Sequence, residues 1–194
     1  MNSKELGKII FLNGASSSGK STLARSLQAR LPEPFIHFSF DHLRDSHAIP
    51  TERFQRGDFD WPTHRPLVFD GFHRCLEAFA SAGNNLIVEH IIEQRKWLID
   101  LVKSLSPFDV FFVGLHCPLE QLNEREKARK NRSAGEAESD FAIVHSFSSY
   151  DLEIDTTRNN TLNTDLLMEK WSNRKKPSQF DILMKTIKSE NFLQ

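Results

Sequence analysis

The chain has 194 residues, of which 39% are hydrophobic and 26% charged, and a formal net charge of −1. These values suit one folded domain with a sizeable core, and they supply no global field that would recruit nucleic acid or a membrane surface. No apolar run approaches membrane-spanning length, the polar opening residues carry no signal core, and Cys75 and Cys117 lie in apolar surroundings without a C-x-x-C spacing; buried free thiols in a reducing cytoplasm are expected.

Lys8-Ile9-Ile10-Phe11-Leu12-Asn13 is a short apolar run of buried-strand type. It leads into Gly14-Ala15-Ser16-Ser17-Ser18-Gly19-Lys20-Ser21, which fits G-x-x-x-x-G-K-[ST], the phosphate-cradling pattern. Leu23, Leu27 and Leu31 then recur at helical spacing until Pro32. Strand, glycine loop and helix form the context this motif requires. Gly14 and Gly19 let successive N–H groups turn inward on phosphate oxygens, and the positive end of the helix faces the same anions. Lys20 reaches the β- and γ-phosphates and the Ser21 hydroxyl ligates Mg²⁺, so ATP and Mg²⁺ are the expected ligands; Ala15, Ser16, Ser17, Ser18 and Thr22 complete the cofactor-binding stretch.

Phe35 to Phe40 reads as a second strand, with Ile36, Phe38 and Phe40 on one face, and it ends in Asp41. Residues 42 to 65 read as a long irregular loop rich in aromatics, either functional or folded back onto the core. Pro66 to Ala82 suggests a long helix closed by Gly83. A third strand follows at Asn84 to His90, a helix at residues 93 to 105, and a fourth strand at Phe108 to Cys117, halted by Pro118. A charged helical run covers Leu119 to Asn131, a further helix Ser133 to Phe147, a short strand Tyr150 to Thr157, and another helix Thr161 to Trp171. Residues 1–173 form one domain on this pattern, and 174–194 a helical C-terminal extension. Alternating strands and helices imply right-handed crossovers and a three-layer α/β/α P-loop fold with about five parallel strands and a helical lid after the fourth, ligands lying beyond the carboxyl ends of the strands.

That rule gathers the glycine loop, Asp41, Glu89 and the Pro118 region at one rim. Phosphoryl transfer to an alcohol needs a group that orients the acceptor hydroxyl, a metal site and cations over the moving phosphoryl. Asp41 is placed for the first role, with an N-cap on the following turn as its alternative. Glu89, after Leu86-Ile87-Val88, either holds a Mg²⁺-bound water or is a solvated strand-end residue. Arg125, Arg129 and Arg132 fall on one helical face just after the fourth strand, as a phosphate-covering set or as an ordinary charged surface. His90 and His145 read as hydrogen-bonded structural histidines, and no His/Cys spacing suggests zinc.

These residues resemble the chloramphenicol phosphotransferase-like family, small P-loop kinases with a shikimate-kinase-like core. The resemblance runs from about Ile9 to about Trp171. It rests on Leu12-Asn13-Gly14, Ser16-Ser17 and Gly19-Lys20-Ser21; on Leu31-Pro32-Glu33-Pro34 and Asp41; on Val113-Gly114, Cys117, Arg125-Glu126, Ala128-Arg129 and Arg132; and on Ala134-Gly135, Ala137, Val144-His145, Tyr150-Asp151, Glu153 and Asp155-Thr156-Thr157. It implies that Asp41 is the base activating an acceptor hydroxyl and that Arg125, Arg129 and Arg132 lie near the nucleotide and phosphates; Arg129 and Arg132 then join the motif's Lys20 as expected catalytic cations, with Arg125 a nucleotide contact. Residues 45 to 75 depart from it, and Glu89-His90 stands where the family tends to carry aspartates. The donor chemistry therefore carries over further than the acceptor, and chloramphenicol is one candidate among small hydroxylated molecules.

Two other functions fit parts of the pattern: a nucleotide or sugar-nucleotide kinase of similar architecture, and a non-kinase NTP-binding module. No N-K-x-D or D-x-x-G signature of a GTPase switch is present.

Overall fold

The computed structural model describes residues 5–128 and 135–191. Among these, five strands, β1 (Lys8–Asn13), β2 (Phe35–Ser39), β3 (Asn85–His90), β4 (Asp109–His116) and β5 (Leu152–Asp155), make one sheet in the order β2-β3-β1-β4-β5. Every neighbouring pair is parallel. The phosphate loop leaves the end of the central strand β1, whose last residue Asn13 sits level with His90 and Gly114.

Side chains along the strands alternate between two cores. Ile9 and Phe11 of β1, with Leu86, Val88, Val110 and Phe112, pack on one face with Phe72 and Leu76 of α4 (Trp61–Ser81) and Leu98 and Leu101 of α5 (Arg95–Leu105). Ile10 and Leu12, with Ile87, Phe111 and Val113, pack on the other with Leu23 and Leu27 of α1 (Lys20–Arg30) and Leu167 and Trp171 of α8 (Asn160–Ser172). The period of two along each strand thus produces the three layers, because both sheet faces are covered.

The stretch after β2 is not the loop its composition suggests. Phe40 opens a helix, α2 (Phe40–Asp45), and α3 (Thr51–Gln55) follows. Then α4 starts at Trp61, five residues before Pro66, where the sequence pattern places its start, and Pro66 lies inside the helix. Asp60 caps it by accepting a hydrogen bond from the Thr63 amide at 2.9 Å, and Pro62 falls within its first turn, where a missing N–H costs nothing. The charged run after β4 is helical as α6 (Leu119–Lys127), and α7 (Glu136–Ile143) follows residues outside the description. Cys117 is buried as expected, but Cys75 is exposed, since it sits on the solvent side of α4; both are free thiols.

The segment after 173 joins the core. Helix α9 (Gln179–Asn191) inserts Phe180 against Phe11 and Phe112. Asp151 ties it to β4, accepting from the amides of Phe112 and Gln179 at 2.8 Å each. Arg174 adds an ion pair to Asp109 at 2.6 Å.

Candidate active site

The loop between β1 and α1 turns tightly from Gly14 to Gly19 in a ring of backbone around the Lys20 side chain. Gly19 stands at φ 96°, left-handed geometry that glycine adopts without strain, and Ser17 also has positive φ. A Cβ on Gly14 would meet the Leu115 carbonyl oxygen at 2.8 Å, so only glycine lets the loop lie this close to β4. The Lys20 side chain curls back under the ring, donating to the carbonyls of Gly14 and Ala15 at 2.7 and 2.8 Å. The Ser17 and Ser18 hydroxyls are buried with no hydrogen-bond partner among the described residues. Unpartnered buried hydroxyls in a glycine-bounded loop of this motif suit a polyphosphate.

At the first turn of α1, the Ser21 hydroxyl donates to Glu89 Oε2 at 2.8 Å. Glu89 closes β3 with only 5% of its surface exposed, and its other oxygen, Oε1, pairs with Nε2 of His37 on the neighbouring strand β2. Burial alone would push the Glu89 carboxyl up; the His37 bond, the Lys20 charge and the Ser21 bond together hold it below the ordinary carboxylate range. Glu89 is therefore not a solvated strand end. Serine and carboxylate oxygens are also the donors a hard cation such as Mg²⁺ takes.

Asp41 lines the same cleft as Ser16, Ser17, Gly19, Lys20, Ser21 and Glu89. It lies inside the first turn of α2, and Ser39 is that helix's N-cap, accepting from the Asp41 amide at 3.2 Å. The capping role that a strand-end aspartate could have had is thus taken by its neighbour. The Asp41 carboxylate pairs with Arg44 one turn later at 3.1 Å. Phe40, Phe69, His90, Ile91 and Glu93 continue the cleft beyond Asp41. Arg65 lies over the rings of Phe69 and Trp97 and pairs with Glu93 at 2.7 Å. Behind this wall His90 and His73 meet Nε2 to Nε2 at 2.8 Å; burial lowers His90 to about 3 and His73 to about 4. His145 hydrogen-bonds the Tyr150 hydroxyl through Nδ1 at 2.6 Å. Both histidines read as structural are hydrogen-bonded.

Arg125 lies near Gly19 of the loop, donating to the Thr156 carbonyl at 2.9 Å. With Thr22, Gly19, Thr156, Arg158, Asn160 and Asn163 it borders a hollow next to the phosphate loop. Arg129 and Arg132 lie outside the described residues. The structure brings the glycine loop, Ser21, Glu89 and Asp41 to one cleft, with Arg125 and Thr22 flanking it.

Two polar partners at this cleft were not singled out from the sequence. His37 lies opposite the apolar face of its strand, and that alternation was its only signal. Asp140 of α7, nearly buried, accepts from the Ser16 amide at 2.8 Å, across 124 residues of chain. Nothing local marked it.

A family profile described as chloramphenicol phosphotransferase-like protein matches residues 7–172. A Mycobacterium tuberculosis protein provisionally named an O-phosphotransferase is 28% identical over 170 residues, covering 78% of this chain and 76% of its own length. An APS kinase from Mycobacterium tuberculosis, solved in complex with AMPPNP and APS, superposes with a TM-score of 0.65 at 16% identity, over 87% of this chain and 99% of that one. A gluconokinase from Sinorhizobium meliloti superposes with a TM-score of 0.55 at 15% identity, over 88% and 99% of the two chains. At such identities the structural likeness is one of fold.

Proposed function

The chain belongs to the chloramphenicol phosphotransferase-like family, and on that premise we propose that it transfers the γ-phosphoryl group of ATP, with Mg²⁺, to a hydroxyl of a small molecule. The observation that carries this is the single cleft shared by Lys20, Ser21, Glu89 and Asp41. Loop amides and the Lys20 ammonium bind the β- and γ-phosphates, the lysine exchanging its carbonyl partners for phosphate oxygens. Ser21 and Glu89 hold the Mg²⁺ site, and a bound Mg²⁺ supplies charge neutralisation at the transferring phosphoryl. Asp41 orients the acceptor hydroxyl and accepts its proton on a carboxylate oxygen. Arg125 and Thr22 flank the nucleoside, and Arg129 and Arg132 are assigned from sequence to the transferring phosphoryl.

The acceptor side favours a neutral molecule with an apolar body. Arg44 is already shared by Asp41 and Asp45, and Arg65 by Glu93, so these cations are committed to carboxylates rather than offered to an anionic substrate. Phe40 lines both the phosphate cleft and a hollow whose apolar wall is Ile49, Phe54 and Trp61 and whose polar side is Arg44, Gln55 and Glu136. No helix among the described residues is long and apolar enough to cross a membrane. Free cysteines are in keeping with a cytoplasmic setting, and a net charge of −1 with no nucleic-acid partner. Residues 1–173 then serve as one kinase domain, to which 174–194 adds Phe180 as a core residue.

Screening ATP consumption against hydroxylated metabolites and antibiotics, chloramphenicol among them, with nucleosides and nucleotides in parallel, tests the proposal. Saturable phosphorylation of a neutral alcohol is expected. Transfer confined to nucleotides would make the chain a nucleotide kinase, and slow ATP turnover indifferent to every alcohol would make it a binding module.

A further inference from the structure

A carboxylate whose two oxygens are held by two different donors cannot rotate. Glu89 is in that state: Ser21 engages Oε2 and His37 engages Oε1. The consequence reaches the serine. Because the Ser21 hydroxyl donates its proton to Glu89, its lone pairs are left for a cation in the cleft that Ser21, Glu89, Lys20 and Asp41 line together. A hydroxyl turned the other way would present a proton to a cation.

His37 is itself fixed. Its side chain is 7% exposed, and the ring of His42, on α2, meets it edge to face with centroids 4.5 Å apart. Strand pairing sets the reach: Ser39 of β2 lies level with Glu89 of β3, which leaves His37 one pleat back on the same sheet face as Ile87 and α1. A chain of contacts therefore runs from α2, which carries Asp41, through His42, His37 and Glu89 to Ser21.

We propose that His37 is a positioning residue that locks the Glu89 carboxylate, and through it the Ser21 hydroxyl, in the orientation that accepts the nucleotide-bound divalent cation. This rests on the assignment of Ser21 and Glu89 to the metal site. Without His37, Glu89 keeps the Ser21 bond alone among the described residues, and one oxygen of the carboxylate loses its anchor beside the Lys20 charge. Partners that orient metal-holding groups are worth 10–100-fold in metal affinity when lost. If His37 merely satisfied a buried carboxylate, its loss would lower stability and leave metal affinity alone.

The test is Mn²⁺ binding to the full chain with ADP and no acceptor, read from the free-Mn²⁺ electron paramagnetic resonance signal. His37→Leu removes the donor. His37→Gln keeps an N–H the same number of bonds from Cα, and His37→Asn places it one bond short. Mn²⁺ affinity is expected to fall roughly tenfold or more in His37→Leu and His37→Asn and to stay within about twofold of wild type in His37→Gln. Metal-free ADP affinity should be unchanged in all three. Should His37→Leu be too unstable to assay, the Asn and Gln pair decides alone. Wild-type Mn²⁺ affinity in a folded His37→Leu or His37→Asn would overturn the role of His37 while leaving the metal site standing. A wild-type chain that binds no Mn²⁺ with ADP would remove the metal-site assignment and this inference together.

Discussion

The ring of Tyr150 lies directly over Gly114 of β4: a Cβ on that glycine would sit 2.6 Å from two of the ring carbons. The placement matters because the Tyr150 hydroxyl accepts a hydrogen bond from Asn13 at 2.8 Å, and Asn13 is the last residue before the phosphate loop. Asn13 in turn accepts from the Ile92 amide and donates to the Val144 carbonyl, each at 2.9 Å. Three segments around the cleft are thus fastened to the end of β1 through one buried asparagine. Gly114→Ala must displace the tyrosine and is expected to destabilise the fold by about 1–3 kcal/mol, the usual range for overpacking. Tyr150→Phe keeps the ring and loses the hydroxyl's bonds to Asn13 and His145, about 1 kcal/mol each. Urea midpoints of the two variants check both losses; equal stability of Gly114→Ala and wild type would contradict the close approach.

Lys20→Ala and Ser21→Ala are expected to differ in kind. Loss of Lys20 removes the ammonium that meets phosphate and should abolish turnover together with ATP affinity. Loss of Ser21 leaves the phosphate cradle intact and should raise the Mg²⁺ requirement on the order of tenfold. Activity titrated against Mg²⁺ separates them. Unimpaired turnover in Lys20→Ala would contradict the phosphate-loop assignment.

Stability should fall on mild acidification. Burial lowers His73 to about 4; burial and the neighbouring His73 lower His90 to about 3; burial and His116 lower His145 to about 4. All three stay neutral in the folded chain at pH values where an unfolded histidine, near 6.5, takes up a proton. Their contribution is complete above about pH 6.5 and is lost as pH falls from there toward 4. The slope is at most about 1.4 kcal/mol per pH unit for each proton taken up on unfolding. Urea unfolding at pH 7.5, 6.5 and 5.5 measures it, and a stability unchanged over that interval would contradict burial of these rings in the neutral form.

The contrast between legible and illegible parts follows sequence distance. The β1–loop–α1 unit was readable because every constraint on it is local: apolar strand, two glycines, lysine and serine at fixed offsets. Asp41 and Glu89 were readable as rim residues because parallel strands end together at one edge of the sheet. The start of α4 is not legible in the sequence, although Asp60 and Pro62 are ordinary helix-opening residues, because the aromatics around them resemble a loop. His37 was invisible as a partner of Glu89 because the two meet across 52 residues. Cys75 shows the limit of local apolarity as a guide to burial: its helix is amphipathic, and flanking Leu76 takes the inward position.

The most direct test of the account is Asp41→Asn, which keeps the shape of the side chain and removes the proton acceptor. ATP affinity and melting temperature should stay near wild type, because Ser39 caps α2 and a solvent-accessible ion pair such as Asp41–Arg44 contributes little to stability. Phosphoryl transfer to the acceptor should fall by roughly 10²–10⁴-fold, the range for losing a general base, with the lower end favoured because a loose phosphoryl-transfer transition state asks less of a base than of positioning. All three quantities are measured on the one variant. Transfer at the wild-type rate by a folded, ATP-binding Asp41→Asn would contradict the placement of the acceptor hydroxyl at Asp41, and with it the chemistry assigned to the cleft.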